Sequence, residues 1–360
     1  MGLKMGIVGM PNVGKSTLFR ALTAKPVLIA NYPFATIDPN VGVVEVPDER
    51  LNKLAQLSRS RKVVPAVIEF VDIAGLVKGA AAGAGLGNAF LSHIRDTDAI
   101  LHVVRVFKNA DIIHVDKEPD PGRDFETICL ELILKDLETA SRALTKLESD
   151  AKSGDAQKIE RRDALSRLKS NLEKELLLSR VGLSEEEKIV AAEVGLLTQK
   201  PILVVFNISD EELRDNWQPD KVLLERLDGI PYLAFPIGIE GEAIGLSEAE
   251  AREFRNLAGI KERGLDTLIR KSYEVLGLIT FLTTGEDETR AWTIPAGSKA
   301  PRAGRAIHSD FEDKFIRAEI IYWEKLLEAG SWAKARELGA IRTEGKEYVV
   351  KDGDVIEFKI

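Results

Sequence analysis

The chain has few of the residues that build disulfide scaffolds, zinc sites or membrane spans. Its 360 residues include one cysteine, Cys129, and four histidines. A single cysteine excludes an intrachain disulfide, and we expect Cys129 to be a small core residue in a reducing compartment. No His/Cys cluster has the spacing of a zinc site. No apolar run approaches the roughly 20 residues that cross a bilayer.

Basic residues are also fewer than acidic residues. The chain carries 50 Lys and Arg against 58 Asp and Glu, a formal net charge of −8. This balance excludes a protein coated in basic surface for nucleic acid, although it permits a local basic patch. A predicted strand begins within a few residues of the amino terminus, so we expect no signal peptide, a cytoplasmic location and no membrane partner. The length predicts two or three domains.

The clearest motif in the sequence is the pattern G-x-x-x-x-G-K-S over residues 9–16. An apolar run over 3–8 predicts a strand before it, and residues 17–22 have helical character, which is the setting of a phosphate-binding loop. Gly9 and Gly14 would bring backbone N–H groups close to phosphate oxygens, and the helix N-terminus favours the same anion. Lys15 is predicted to contact the β- and γ-phosphates, and the Ser16 hydroxyl to ligate Mg²⁺.

Three companions of this loop follow in the order that a nucleotide switch requires. Thr36 lies in a loop punctuated by prolines, where its hydroxyl can complete Mg²⁺ coordination. Asp72 ends a predicted buried strand, where its carboxylate can hold the Mg²⁺ hydration shell, and Gly75 offers an N–H to the γ-phosphate. The glycine- and alanine-rich residues 79–87 are expected to be mobile until a ligand orders them.

Base recognition is predicted to involve the tetrapeptide N-I-S-D over residues 207–210. Guanine-binding proteins of this kind carry Asn-Lys-x-Asp there. Asn207 can fix the local backbone or meet a base edge, while Ile208 offers an apolar surface without charge. Asp210 could still accept hydrogen bonds from guanine N1 and N2. The pattern favours adenine and leaves guanine open.

The usual water-orienting group is missing from the sequence. Ras-like GTPases carry a glutamine after Asp-x-x-Gly, and this chain has Leu76. His114, in the loop after the third core strand, is the candidate for orienting water, and a surface histidine is the alternative. Asn12 can help to hold a monovalent cation, K⁺, beside the phosphates. The predicted catalytic residues are Lys15, Gly75 and His114. Because the glutamine is missing, the intrinsic rate of hydrolysis is expected to be low.

The periodicity of the chain predicts three structural units. Leucines at helical spacing, broken near residue 154, predict an antiparallel helical hairpin inserted between buried-type strands. Short strands around helical pieces then predict a small α+β unit of β-grasp type, with strands at 289–294, 315–321, 347–350 and 355–359. The expected division is an α/β nucleotide domain over 1–126 and 196–277, a hairpin arm over 127–195, and a β-grasp domain over 278–360.

The early part of the β-grasp unit contains a group of basic residues. They could contact a phosphate backbone or a ribosome, or they could form an ordinary solvated surface. The group consists of Lys299, Arg302, Arg305, His308, Lys314 and Arg317.

With these motifs in place, the chain strongly resembles the YchF family, the Obg-like ATPases of the translation-factor class of P-loop NTPases. The resemblance covers nearly the full length, and the tail looks like a TGS domain. It rests on residues 9–16, N-Y-P-F at 31–34 with Thr36, D-I-A-G-L at 72–76, the loop of His114, the hairpin, R-A-W-T-I-P at 290–295 and V-V-K-D-G-D at 349–354.

The resemblance implies Mg²⁺-dependent hydrolysis of ATP in preference to GTP, and binding to the ribosome, with the large subunit expected, or to RNA, without DNA sequence recognition. The family usually carries Asn-x-x-Glu, so Asp210 departs from it. An adaptor with a structural nucleotide and a GTPase of Obg type remain alternatives. The implied site residues are Asn12, Val13, Gly14, Lys15, Ser16 and Thr17 on the phosphates, Ser16 and Thr36 on Mg²⁺, Phe107 and Ile208 flanking the base, and Asn207 at its edge.

Overall fold

The computed structural model describes residues 3–25, 40–73, 88–109, 118–152, 154–260 and 262–360. Three predicted site residues, Thr36, Gly75 and His114, lie outside these ranges, as do Leu76 and the glycine-rich segment 79–87. No helix within the described ranges combines the length and the apolar character needed to cross a bilayer.

The first sheet is mainly parallel and carries the glycine loop at the end of its first strand. Its spatial order is β2-β4-β1-β5-β6-β7, with β2 antiparallel to β4 and the other neighbours parallel. Every residue of β5 and β6 is buried, as expected for central strands covered on both faces. With strands numbered in chain order, the bounds are β1 Lys4–Val8, β2 Val41–Glu45, β4 Val67–Asp72, β5 Ala99–Arg105, β6 Ile202–Asn207 and β7 Tyr232–Phe235.

The second sheet belongs mainly to the carboxyl-terminal part of the chain. Its order is β11-β10-β12-β8-β9-β3, with β12 parallel to β8 at the centre. The remaining neighbours are antiparallel except for β3, which runs parallel to β9. Its strands are β3 Lys62–Val64, β8 Leu278–Thr284, β9 Glu288–Pro295, β10 Arg317–Tyr322, β11 Arg342–Glu344 and β12 Asp354–Lys359. The predicted combination of a Ras-like α/β unit and an α+β unit is confirmed.

Helices cover the first sheet and fill the crossovers of the second. The first group comprises α1 Lys15–Leu22, α2 Glu49–Ser58, α3 Asn88–Arg95, α4 Pro121–Ala151, α5 Ala156–Glu173, α6 Glu185–Val194, α7 Asp210–Arg214, α8 Lys221–Leu227, α9 Ile237–Glu242, α10 Glu248–Leu257 and α11 Gly264–Val275. The carboxyl-terminal group comprises α12 Ala300–Gly304, α13 Ser309–Asp313, α14 Trp323–Ala329 and α15 Trp332–Glu337.

Helices α4 and α5 form the predicted hairpin. Leu165, Leu168 and Leu172 of α5 are fully buried and belong to the same apolar cluster as Leu132 of α4. Helix α4 begins ahead of the expected start at residue 127, because Pro121 suits a first helical position and Asp120 caps it. Cys129 is buried in this cluster, as expected, and burial raises the pKa of its thiol to about 12.

A buried carboxylate fastens the hairpin to the chain that enters β6. Asp136 of α4 is fully buried. It accepts hydrogen bonds from the backbone N–H groups of Leu197 and Thr198, both at 2.8 Å, and from the Thr198 hydroxyl at 2.7 Å. Burial raises the pKa of Asp136, and these three donors oppose that shift. The Asp136 carboxylate therefore satisfies the backbone N–H groups of this turn, as a capping side chain satisfies the first N–H groups of a helix.

The carboxyl-terminal sheet is attached to the first unit through α2 and β3. Arg50 of α2 pairs with Asp48 at 2.8 Å and with Asp352 at 2.5 Å, and Asp352 also accepts the backbone N–H of Thr280 at 2.8 Å. The Ser60 hydroxyl donates to a backbone carbonyl of the β8–β9 turn at 2.6 Å. Because β3 also pairs with β9, the second sheet is joined to the amino-terminal part of the chain by strand hydrogen bonds as well.

The predicted strand at 347–350 is wrong. Its residues make a single bridge, between Val349 and Lys299, because a turn closes at Tyr348 and the edge beside β10 is occupied by β11. Strands β3, β8 and β11 were not foreseen. Helix α2 ends at Ser58, and residues 62–64 that follow pair with β9 as β3.

We expect Asp136→Asn to weaken the base of the hairpin. The amide would place a donor against backbone N–H groups, so the free energy of unfolding should fall by about 2–4 kcal/mol. Urea denaturation measures this change. The matched control is Glu138→Gln on the same helix, an exposed side chain paired with Lys135, which should leave the urea midpoint unchanged. A wild-type midpoint for Asp136→Asn would contradict the assigned role.

Candidate nucleotide-binding site

The glycines of the loop between β1 and α1 are required by close backbone approaches. Gly9 has a φ of 149° and Gly14 a φ of 106°, a region that side-chain-bearing residues rarely adopt. A Cβ atom on Gly9 would lie 2.3 Å from the Val103 carbonyl oxygen, and one on Gly14 would lie 2.7 Å from Asn207 Nδ2. Helix α1 begins at Lys15 without a side-chain cap. Its first N–H groups are therefore available to an anion.

Lys15 lies over the mouth of this loop. Its Nζ donates hydrogen bonds to the carbonyl oxygens of Gly9 at 2.9 Å and Met10 at 2.7 Å. Burial lowers the pKa of Lys15 to about 8, and the carboxylate of Asp72 opposes the shift. The ammonium group is thus already dehydrated and positioned beside the place where a phosphate would bind.

The two described residues predicted to serve a metal are neighbours. The Ser16 hydroxyl donates to Asp72 Oδ2 at 3.4 Å, and the Asp72 side chain is buried at the end of β4. Strand β4 lies beside β1, with Asp72 in register with Ile7. The parallel sheet therefore brings the carboxylate to the same edge as the loop, as expected for the carboxyl ends of such strands.

Asn207 connects the loop to the opposite side of the site. Its Nδ2 donates to the Val13 carbonyl at 3.0 Å, and its Oδ1 accepts the backbone N–H of Ile237 at 3.1 Å. Of the two roles considered for Asn207, the fixing of local backbone is the one that these bonds perform. Val13 itself is buried beneath the loop.

A cavity of about 780 Å³ extends from the loop toward the ends of β5 and β6. Its size is that of a small-molecule site. It brings together most of the predicted phosphate and base residues from three separate segments. The lining residues are Asn12, Gly14, Lys15, Ser16, Thr17, Phe107, Lys108, Asn109, Asn207, Ile208, Ser209, Asp210, Glu211, Arg214, Pro236, Ile237 and Gly238.

Two contributors to this site were missed at the level of sequence. The start of helix α9 forms one wall of the cavity through Pro236, Ile237 and Gly238, and no local sequence pattern predicted this contribution. Arg105 is buried at the end of β5, next to the segment that carries Phe107. A charged residue ending an otherwise buried strand was a signal available in the sequence, and it was not used.

The basic group of the carboxyl-terminal unit is largely neutralised by neighbouring carboxylates. Lys299 pairs with Glu347 at 2.5 Å, Lys314 with Asp310 at 2.8 Å, and Arg305 with Glu312 at 2.8 Å. The two remaining arginines of the group, Arg302 and Arg317, lie 4.0 Å from Glu312 and Glu319, and His308 caps α13. The pairing favours the solvated-surface alternative over a ready phosphate-binding patch.

The fold and the site define a class of protein. The mainly parallel sheet has a glycine loop between β1 and α1, a carboxylate at the end of β4 and an asparagine at the end of β6. These features define a P-loop nucleotide-binding protein of Ras-like topology.

Comparison with known proteins specifies the family. The family model described as "50S ribosome-binding GTPase" matches residues 4–132, and the YchF-GTPase_C model, described as a protein of unknown function, matches residues 278–360. The chain is 50% identical to the "Ribosome-binding ATPase YchF" of Bacillus subtilis (strain 168), over 100% of this chain and 99% of that protein. It is 44% identical to the protein of the same name from Escherichia coli O157:H7, over 99% of each chain.

A solved structure gives the same result. The structure of the Schizosaccharomyces pombe YchF GTPase superimposes with a TM-score of 0.89 at 38% sequence identity, covering 99% of this chain and 98% of that one. The chain belongs to the YchF family.

We expect triphosphate affinity to fall at alkaline pH because of Lys15. Its pKa in the free protein is about 8, and a bound polyanion would raise that pKa. Binding above about pH 8 must therefore take up a proton, and the Kd for ATP should rise by up to about tenfold per pH unit until the bound-state pKa is reached. Calorimetry in buffers of different ionisation enthalpy measures both the Kd and the proton uptake.

Lys15→Met provides the control for this dependence. It should bind ATP more weakly and show a flat Kd between about pH 8 and 9.5, because no titrating lysine remains. A flat wild-type profile over that interval would show that Lys15 keeps its proton in the free protein.

Proposed function

We propose that the chain is an Mg²⁺-dependent ATPase that acts as a nucleotide switch on the ribosome. The observation that carries this proposal is the convergence of the glycine loop, the Lys15 ammonium and the Ser16–Asp72 pair at the mouth of one cavity. The names of the relatives, ribosome-binding ATPases, support the activity and the partner.

The donor set suits Mg²⁺. The Ser16 hydroxyl and the Asp72 carboxylate are hard oxygen ligands 3.4 Å apart at the loop, and Mg²⁺ prefers such oxygens together with phosphate and water. When bound, Mg²⁺ supplies positive charge to the β- and γ-phosphate oxygens. Ser16 would ligate it, Asp72 would hold its water shell, and Thr36 keeps its proposed place as a further ligand.

The protein's own contribution to hydrolysis is positioning and charge. The amides of residues 12–17 would cradle the phosphates while Lys15 holds the developing charge on the γ-phosphate. We also propose that the backbone N–H of Gly75 donates a hydrogen bond to the γ-phosphate and that His114 orients the attacking water. Asn12, which has a left-handed φ of 61° and an exposed position at the loop tip, keeps its proposed role beside K⁺.

Adenine is the proposed base. Ile208 lines the cavity without a charge and Phe107 offers a ring, so both flanking surfaces are apolar or aromatic. Asp210 also lines the cavity, in the first turn of α7, where its carboxylate could meet guanine. The bacterial relatives are named ATPases, which supports adenine, and the solved relative is named a GTPase.

The ribosome is the proposed partner, and the large subunit is its proposed contact. The description of the matching family model, "50S ribosome-binding GTPase", supports that choice. We retain the division into a nucleotide domain (1–126 and 196–277), a hairpin arm (127–195) and a TGS domain (278–360), with the arm and the TGS domain as the contacting parts. RNA on the ribosome is part of that proposal.

A second candidate is an adaptor that binds nucleotide without appreciable turnover. The observation in its favour is Leu76 at the position where a water-orienting glutamine is expected. It shares the site and the partner with the first candidate and differs only in phosphate release.

We expect ATP to bind about tenfold more tightly than GTP, because Ile208 occupies the position at which guanine-binding proteins of this kind carry a lysine. Calorimetry with both nucleotides and Mg²⁺ measures the ratio. Asp210→Asn should weaken GTP further and leave ATP unchanged, because the carboxylate would accept from N1–H and N2–H₂ of guanine, and adenine has no donor at those two positions. Tenfold tighter binding of GTP would make the chain a GTPase of Obg type.

We expect slow phosphate release from ATP that requires Mg²⁺ and Lys15. Lys15→Ala should reduce the rate by at least about a hundredfold, because the variant lacks the ammonium group that would stabilise negative charge on the transferred phosphate. His114→Ala should also slow release if His114 orients the water. The assay compares K⁺ with Na⁺ buffers, with and without ribosomes. No release above background in any of these conditions would favour the adaptor.

A further inference from the structure

Arg105 is a buried cation at the edge of the site that the phosphate chemistry does not use. It is the last residue of β5 and is 1% exposed, in a strand whose other residues are all buried. Removing a guanidinium from water is unfavourable unless hydrogen-bond acceptors in the protein compensate for its lost hydration. Its contacts therefore show what the protein gains by keeping it there.

These contacts converge on the segment that carries Phe107. Arg105 Nε donates to the Phe107 carbonyl at 2.9 Å, and Nη2 donates to the Asn109 carbonyl at 3.3 Å. The guanidinium carbon lies 4.6 Å from the centroid of the Phe107 ring. One side chain thus fixes both the backbone and the ring of this segment, with a cation–π contact between them.

Arg105 also has a buried acidic neighbour on the hairpin side. Asp124 in the first turn of α4 is 1% exposed, and its negative charge opposes the effect of burial, which lowers the pKa of Arg105. The charge of Arg105 is therefore partly compensated, while its hydrogen bonds hold the segment 107–109.

The Phe107 ring has space on both sides of its segment. It lines the nucleotide cavity and also a neighbouring cavity of about 590 Å³, whose walls include Trp217 and Leu223. A ring with two available cavities needs a restraint if it is to pack against a base in one of them. The stacked guanidinium supplies that restraint.

We propose that Arg105 is the positioning residue for the base: its fork to the Phe107 and Asn109 carbonyls and its stacking on Phe107 hold that ring against the nucleotide cavity. This inference rests on the proposed base site. It concerns the nucleoside half of the ligand, because neither Arg105 nor Phe107 belongs to the glycine loop.

Arginine is needed here because of its geometry. A planar guanidinium can donate to two carbonyls and stack on a ring at once, whereas a lysine ammonium is a point charge on a flexible stem. Arg105→Lys therefore keeps the charge and loses the fork, and Arg105→Met removes both. The pair separates positioning from simple electrostatic attraction.

The test compares ATP with tripolyphosphate, which has the phosphates without a nucleoside, both with Mg²⁺. Calorimetry should show that Arg105→Lys and Arg105→Met each raise the Kd for ATP about tenfold and change that for tripolyphosphate less than about twofold. Turnover should show a raised KM with kcat within about twofold, because ground-state and transition-state binding of the nucleoside fall together. Retained tripolyphosphate binding also reports that the variants fold.

Phe107→Ala completes a double-mutant cycle. It should weaken ATP about tenfold, and adding Arg105→Met should cost less than about twofold more, because Arg105 acts through the ring. If Phe107→Ala leaves ATP affinity intact, the proposed base site is wrong. If Phe107→Ala weakens ATP binding, the positioning role of Arg105 can still be overturned. Wild-type ATP affinity in both Arg105 variants, or in Arg105→Lys alone, would do so. Equal losses of ATP and tripolyphosphate affinity, or additive losses of ATP affinity in the double mutant, would also do so.

Discussion

The close passage of the glycine loop between β5 and Asn207 is the constraint on which the site depends. A single Cβ at Gly9 or Gly14 would collide with the Val103 carbonyl or the Asn207 amide. These same neighbours hold the loop open, because Asn207 bonds to the Val13 carbonyl while α9 bonds to Asn207. The cradle is therefore preorganised by the sheet beneath it, and binding needs little ordering of the loop itself.

The parts of the site that were predictable from sequence depend on short-range patterns. The loop, Asp72 at a strand end and the helical hairpin each follow from residue spacing, and the first sheet arranges them as its parallel topology demands. The wall formed by α9 and the connection through β3 depend on pairs far apart in the chain. No local periodicity encodes such pairs, which is also why the edge strand was misplaced at 347–350.

The proposed site would hold the two ends of a nucleotide by different kinds of restraint. The phosphate end has backbone amides, one ammonium and a hydroxyl–carboxylate pair, which suit any nucleoside triphosphate. The proposed base end would depend on Phe107 and Ile208, which both line the cavity, and the Phe107 ring lies against the buried Arg105 guanidinium. Selectivity among nucleotides can therefore change at residues 105–109 and 207–210 without any change in the loop.

The attachment of the carboxyl-terminal sheet bears on how a switch could be transmitted. Asp72 ends β4, whose antiparallel neighbour β2 leads directly into α2, and Arg50 of α2 is ion-paired with Asp352. The next strand, β3, is hydrogen-bonded to β9. A displacement at the phosphate end of β4 thus has a continuous packed path to the carboxyl-terminal sheet through one short helix. Packed elements move together rather than deform continuously, so in the proposed switch the carboxyl-terminal sheet would follow the nucleotide state through this helix.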